Sequence, residues 1–251
     1  MSASLHVGAV SDGSVAPPPS PGMRHQQAAA TSSTAPGSER ARQPSAPPRE
    51  LLFKFLVIGD YGVGKTAIVR RYTEGKFSSN YKITIGADFA IKSLQWDPGT
   101  KVNLQLWDIA GHERFGYMTR VYFKYAVAAA VVFDVSRIAT FQSVQKWLTD
   151  LREKVSLQDG SPVPVVLLAN KCDIAAASVP TDLVARFCRD NGLVAWYLTS
   201  AKENIAIDEA MACLVRQVLA LRTSGPTHSD GLVLGANSSE TLNHSSGCCG
   251  S

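Results

Sequence analysis

Apolar and polar positions follow two rhythms along the chain. Leu52 to Ile58 is an almost unbroken apolar run, the pattern of a strand buried on both faces. From Ala67 to Glu74 the apolar positions Ile68, Val69 and Tyr72 share one helical face, and Gly75 stops the helix. Phe77 to Gly86 is polar and turn-rich, which predicts a loop. Ala87 to Trp96 alternates, with Phe89, Ile91 and Leu94 opposed by Asp88, Lys92 and Gln95. Asp97 to Thr100 supplies a turn, and Val102, Leu104 and Leu106 resume the alternation, so these segments predict a hairpin. Ala128 to Phe133, Val163 to Ala169 and Val194 to Leu198 predict buried strands. Phe141 to Val155, Pro180 to Asn191 and Ile207 to Leu221 carry helical spacing. Strands alternating with helices predict an α/β fold. Its sheet should have six strands, mostly parallel, with one antiparallel edge strand and helices on both faces.

The chemistry-bearing residues cluster where predicted strands end, the edge on which such sheets bind ligands. After the first strand comes Gly59-Asp60-Tyr61-Gly62-Val63-Gly64-Lys65-Thr66, which opens a helix. A glycine loop between strand and helix is a phosphate-binding loop, so the fold class narrows to a P-loop NTPase. The glycines let the backbone curl so that N–H groups face phosphate oxygens, and the helix N-terminus adds partial positive charge. Lys65 would reach the β- and γ-phosphates, and the Thr66 hydroxyl would ligate Mg²⁺. Asp108-Ile109-Ala110-Gly111 follows the second hairpin strand, 43 residues after Lys65. Asp108 suits water-mediated Mg²⁺ binding, and Gly111 can offer its N–H to a γ-phosphate. Asn170-Lys171-Cys172-Asp173 ends another strand and carries the choice of base. The Asp173 carboxylate can accept from both donors on the guanine edge, a pair that adenine lacks. The Lys171 stem can lie over the base. Ser200-Ala201-Lys202 closes the last strand, with the Ala201 N–H placed to meet the guanine oxygen.

Composition bounds the rest. The chain has 251 residues, 45% hydrophobic, and a formal net charge of +4, which allows one good-sized domain plus tails. That charge, with no long basic run, argues against nucleic acid as a partner. The longest apolar run, Ala126 to Phe133, falls far short of a membrane span, and the N-terminus lacks an apolar signal-peptide core. Five cysteines at irregular spacing fit a reducing compartment. Residues 1–50 are rich in Ala, Ser, Pro, Gly and Gln, and predict a disordered extension. Residues 51–222 form the predicted domain, and 223–251 a flexible tail.

The ordered motifs of residues 52 to about 222 resemble the Ras-superfamily GTPases, and within them the Rab family. Tyr81-Lys82-Ile83-Thr84-Ile85-Gly86-Ala87-Asp88-Phe89 resembles the Rab first switch and effector region, and Leu106 to Gly111 the second switch. Ile109, Trp96-Asp97-Pro98, Met118-Thr119-Arg120-Val121-Tyr122 and Leu168 to Asp173 are similar to the subgroup of Rab-thirty-two and Rab-thirty-eight, which is associated with lysosome-related organelles. The resemblance implies a GTP- and GDP-binding, Mg²⁺-dependent switch of vesicle traffic. It implies that Phe77 stacks on guanine, that Thr84 meets Mg²⁺ and γ-phosphate, and that Gly111 senses γ-phosphate. Ile85, Gly86 and the aromatic trio Phe89, Trp107 and Tyr122 would receive effectors. The catalytic set would be Lys65, Thr84, Gly111 and His112. Exchange factors, activating proteins, escort and extraction proteins of the GDI type, and effectors are the implied partners. The implied location is the cytoplasmic face of endosomal or lysosome-related membranes, with a cytosolic pool. The terminal Gly247-Cys248-Cys249-Gly250-Ser251 resembles a Rab double-cysteine geranylgeranylation signal. It also matches a single-lipid C-a-a-X box that would modify Cys248 alone.

Two residues depart from the family pattern. His112 stands where Rabs commonly have the glutamine that orients the attacking water, and Tyr61 where relatives commonly carry a small residue. Tyr61 would lie near the γ-phosphate and could crowd an incoming arginine or cap the site. Both raise the alternative of a GTP-loaded scaffold that barely hydrolyses. An ATP-using phosphate-loop enzyme is the other alternative, and Asn170 to Asp173 argue against it. Arg137 to Ala139 carry no evident site.

Two predictions come from these segments. Neutral His112 has one donor and one acceptor fixed across a rigid ring, so it meets water and phosphoryl oxygen together less well than a glutamine amide. Single-turnover hydrolysis should therefore be slow, and faster in His112→Gln, with Tyr61 intact or in Tyr61→Ser; an unchanged rate in both backgrounds would refute this reading. The tail between Thr223 and Gly247 has no Lys or Arg. One lipid alone anchors only marginally. Both Cys248 and Cys249 should thus be prenylated, and intact-mass spectrometry finding one lipid on the membrane-bound form would contradict it.

Overall fold

The computed structural model describes residues 8–9, 49–80, 82–111, 121–175 and 178–224. The strands are β1 (Gly8–Ala9), β2 (Arg49–Ile58), β3 (Ala87–Asp97), β4 (Thr100–Ile109), β5 (Ala128–Asp134), β6 (Val165–Asn170) and β7 (Ala195–Thr199). The helices are α1 (Lys65–Glu74), α2 (Ile138–Gln142), α3 (Val144–Lys154), α4 (Thr181–Asp190) and α5 (Ile207–Ser224). They build one sheet in the order β1-β7-β6-β5-β2-β4-β3. β4, β2, β5, β6 and β7 run parallel, and β3 pairs antiparallel with β4 at one edge. All six expected strands are present. Within the stretch expected to lack order, Gly8 and Ala9 pair antiparallel with Trp196 and Ala195 at the opposite edge; the rest of that stretch lies outside the described residues, as does the tail beyond Ser224.

Alternation in the central strand builds two cores. Phe53, Phe55 and Val57 of β2 pack on one face with Ile68 of α1 and Met211, Leu214 and Val215 of α5. Leu56 and Ile58 point to the other face, against Phe133, Phe141, Leu148 and Val184 of β5, α2, α3 and α4. Every residue of β5 is buried, and its three alanines leave room for helices on both sides. Because the strands are parallel, their C-terminal ends align, and the loops after β2, β4, β5, β6 and β7 share one edge.

Element ends differ from the sequence expectation in instructive places. β2 starts at Arg49, three residues before the expected Leu52, because the Arg49 N–H reaches the Gly99 carbonyl in the hairpin turn at 2.7 Å. The helix expected from Phe141 begins at Ile138 and is divided at Ser143. Thr140 explains the early start: its hydroxyl meets the Asp134 and Arg137 carbonyls at 3.2 and 2.7 Å. Among the described residues no helix is long and apolar enough to cross a membrane.

Candidate nucleotide and metal site

The loop from Gly59 to Gly64 joins β2 to α1 and lines a cavity of about 290 Å³ with Tyr61, Lys65, Thr66, Phe77, Thr84, Gly111 and Lys171. Gly64 has φ +100, and a Cβ there would lie 2.3 Å from Asn170 Nδ2. Only glycine meets both demands. Gly64 caps α1 without a side chain, so the helix N-terminus stays open toward the cavity. Gly111 approaches the loop from β4, and a Cβ on it would fall 2.2 Å from the Tyr61 nitrogen.

Lys65 is 6% exposed, and its Nζ donates to the carbonyls of Gly59 and Asp60 at 2.8 Å each. Burial lowers its pKa to about 8 against the opposing charges of Asp108 and Asp60. Val63 faces the core, fully buried.

Thr66, Thr84 and Asp108 converge beside it. The Thr66 and Thr84 hydroxyls are 3.0 Å apart, and both bond Asp108 Oδ2, Thr84 at 3.3 Å and Thr66 more closely. Asp108 is 2% exposed, and its Oδ1 has no hydrogen-bond partner. Burial pushes its carboxyl up, while the Thr66 bond and the Lys65 charge oppose that. A buried carboxylate with a spare oxygen beside two hydroxyls is a hard, oxygen-only donor set, which fits Mg²⁺ shared with phosphates. Among the described residues no group of three or more His, Cys, Asp or Glu could hold a metal.

The far end of the edge gathers the second motif. Asn170 Nδ2 donates to the Val63 carbonyl at 2.8 Å, and its Oδ1 accepts from Thr199 Oγ1 and the Ala201 N–H, both at 3.3 Å. Ala201 N–H thus points at Asn170, whereas the sequence suggested a free donor for a base. Asp173 Oδ1 accepts from Ser200 Oγ at 2.6 Å, and its Oδ2 lies 3.8 Å from the Lys202 ammonium. Arg71 of α1 holds the Ala201 and Lys202 carbonyls at 2.8 and 2.9 Å. Lys171 sits at φ +67 with its Nζ 2.8 Å from Asp134 Oδ2. Phe77 lines the same cavity, 39% exposed.

On the β3–β4 surface, Phe89 and Trp107 stack with ring centroids 5.8 Å apart, and Trp107 and Tyr122 lie 6.2 Å apart. Lys54 Nζ sits 3.8 Å over the Trp107 ring. Phe89 and Ile85 are exposed, and Gly86 at φ +70 lies against the Tyr122 hydroxyl. Tyr81, His112, Met118 to Arg120, Cys248 and Cys249 lie outside the described residues. Sequence reasoning missed Asp134, Arg137, Trp147 and Arg71, which bind the loops of this edge to one another. Arg137 carries no motif in the sequence, yet its Nη2 donates to the Tyr61 carbonyl at 3.2 Å. The available signal was Asp134 at a strand end, on the same edge as every other motif.

Comparison with known proteins agrees with this geometry. Residues 54–220 match the Ras family. The chain is similar to the Ras-related protein Rab-32 of Homo sapiens, 51% identical over 217 residues, covering 85% of this chain and 96% of that protein. It is similar to Rab-32B of Dictyostelium discoideum, 48% identical over 201 residues, covering 79% and 77%. It is also similar to Rab-7L1 of Homo sapiens, 50% identical over 171 residues, covering 68% and 84%. A glycine loop, an oxygen-rich cluster of two hydroxyls and a carboxylate and an Asn-Lys-x-Asp turn on one sheet edge, within a chain matched along most of its length, place this protein in the Ras family of small GTPases, alongside the Rab-32 relatives.

Proposed function

We propose that this small GTPase holds GTP or GDP with Mg²⁺ across the aligned strand ends and uses the γ-phosphate to switch its effector surface in membrane trafficking. The carrying observation is that the Lys65 loop, the Thr66–Thr84–Asp108 cluster and Asp173 open on the same edge. In this reading Gly59, Asp60, Tyr61, Gly62, Val63 and Gly64 wrap the phosphates with backbone N–H groups. Lys65 keeps its carbonyl partners and turns its remaining donor to the β- and γ-oxygens. Thr66, Thr84 and Asp108 would hold Mg²⁺, which when bound would neutralise phosphate charge. Asp173 accepts from the guanine edge, Ser200 steadies it, and Phe77 and the Lys171 stem cover the base; Asn170, Ala201 and Lys202 shape that wall.

The switch follows from weak ties. Thr84 touches the metal cluster through one hydroxyl, and Gly111 touches the loop through backbone alone. With γ-phosphate present both are held; after hydrolysis both let go. The clustered rings of Phe89, Trp107 and Tyr122, with Ile85 and Gly86, adjoin these two points, so an effector docked there would sense the nucleotide. His112 would position the attacking water poorly and prolong the GTP state. An exchange factor, an activating protein and a GDI-type extraction protein complete the cycle. Geranylgeranyl groups on Cys248 and Cys249 would anchor the protein to endosomal or lysosome-related membranes.

Asp173→Asn tests the base assignment. A carboxamide presents only one acceptor to the paired guanine donors, so GTP should weaken by about a hundredfold or more. Xanthosine triphosphate, whose C2 oxygen accepts where guanine donates, should gain relative to GTP. Equal GTP affinity in variant and parent, measured by competition against a fluorescent GDP, would remove Asp173 from the site.

A further inference from the structure

The phosphate loop is gripped from its outer side by two residues that follow β5. Trp147 of α3 donates its indole N–H to Asp60 Oδ1 at 2.8 Å. Arg137 donates Nη2 to the Tyr61 carbonyl at 3.2 Å while its Nε rests on Asp134 Oδ2 at 3.0 Å. The Asp134 side chain is 2% exposed, and the same Oδ2 takes the Lys171 ammonium at 2.8 Å. Its Oδ1 accepts from the Ser136 N–H and hydroxyl at 3.0 and 2.6 Å. Burial alone would push this carboxyl up; the bonds from Lys171 and Ser136 outweigh it and hold the group ionised. The guanidinium is therefore fixed at its far end, and the fixed end is shared with the base-side lysine.

The direction of carbonyls decides whether such a loop binds phosphate. N–H groups can face inward only while the carbonyls between them face outward. Lys65 secures the carbonyls of Gly59 and Asp60. The next peptide, Tyr61–Gly62, is the vulnerable one. Gly62 sits at φ +71, the conformation of a glycine turn whose central peptide can rotate at little steric cost. Rotation would turn the Tyr61 oxygen toward the phosphates and take the Gly62 N–H away. The Arg137 guanidinium lies where a Gly62 Cβ would be within 3.5 Å of its Nη2, so it occupies the outer side of this same peptide.

We propose that Arg137, anchored by Asp134, is a positioning residue that locks the Tyr61–Gly62 peptide in its phosphate-binding orientation, with Trp147 as an independent second tie through Asp60, and that together they slow nucleotide release. This inference rests on the nucleotide-binding reading given above. Neither residue touches the cavity chemistry; both act through the loop. A partly exposed charge-assisted hydrogen bond of this kind corresponds to about a three- to tenfold change in a dissociation rate.

The test is the release rate of fluorescent GDP from the full chain. Arg137→Ala should accelerate release about three- to tenfold, and Arg137→Lys should recover part of the difference because an ammonium can still donate to the carbonyl. Trp147→Phe, which keeps the ring and loses the donor, should accelerate release in the parent and have no effect in an Asp60→Ala background. A general loosening of the fold predicts neither the lysine rescue nor that dependence on Asp60. If Arg137→Ala fails to fold, Arg137→Lys against the parent still decides, with release faster than the parent expected. Parent-like release in Arg137→Lys and Trp147→Phe would overturn the proposal. A parent chain that does not retain GDP would overturn the nucleotide-binding reading and this inference with it, whereas a parent that retains GDP beside parent-like variants would overturn only the inference.

Discussion

The architecture turns on one buried charge. Lys65 carries its ammonium into a place 6% exposed, at the mouth of a parallel sheet, with two backbone carbonyls as its partners. Two neutral oxygens compensate poorly for lost hydration, which is why its pKa falls to about 8. The sign of the consequence is fixed. A lysine whose folded pKa lies below its ordinary value of 10.5 costs stability at neutral pH, and that cost fades as pH rises through about 8 toward 10.5. The penalty is about 3 kcal/mol. A polyanion placed at the loop would relieve it, so on the proposed reading the same feature that weakens the free protein would strengthen its hold on phosphate.

Much of the surrounding fold exists to make that placement possible. β2 delivers the loop because both of its faces are covered, by α1 and α5 on one side and by α2, α3 and α4 on the other. β4 brings Asp108 and Gly111 alongside, and β6 and β7 bring Asn170 and Ser200. Gly111 cannot carry a Cβ without striking the Tyr61 backbone, so the second switch motif and the phosphate loop are fitted to each other by sterics alone. Asn170 reaches across to the Val63 carbonyl and ties the base end to the phosphate end.

What was legible in the chain was whatever is local. Gly59 to Thr66, Asp108 to Gly111 and Asn170 to Asp173 announce themselves because each motif lies within a few residues and follows an apolar strand. The six strands were legible for the same reason: period-two alternation and continuous apolar runs are short-range signals. The supports were not. Arg137 meets Tyr61 across 76 residues, and Trp147 meets Asp60 across 87, so no spacing rule links either pair. Trp147 shares the helical spacing of Val144, Leu148 and Leu151, the pattern of a core face, yet its indole N–H serves the loop. Element ends were set by single tertiary bonds, such as Arg49 N–H to Gly99, which periodicity cannot register.

The measurement that reaches the central claim most directly is the proton balance of GDP binding. At about pH 8 roughly half of the free protein should carry a neutral Lys65, and phosphate should restore the charge. Titration calorimetry of nucleotide-stripped protein at that pH, in two buffers of different ionisation enthalpy, should then report uptake of about half a proton per GDP bound. Equal heats in the two buffers would mean that Lys65 is already fully charged or does not meet the phosphates, and would contradict the account.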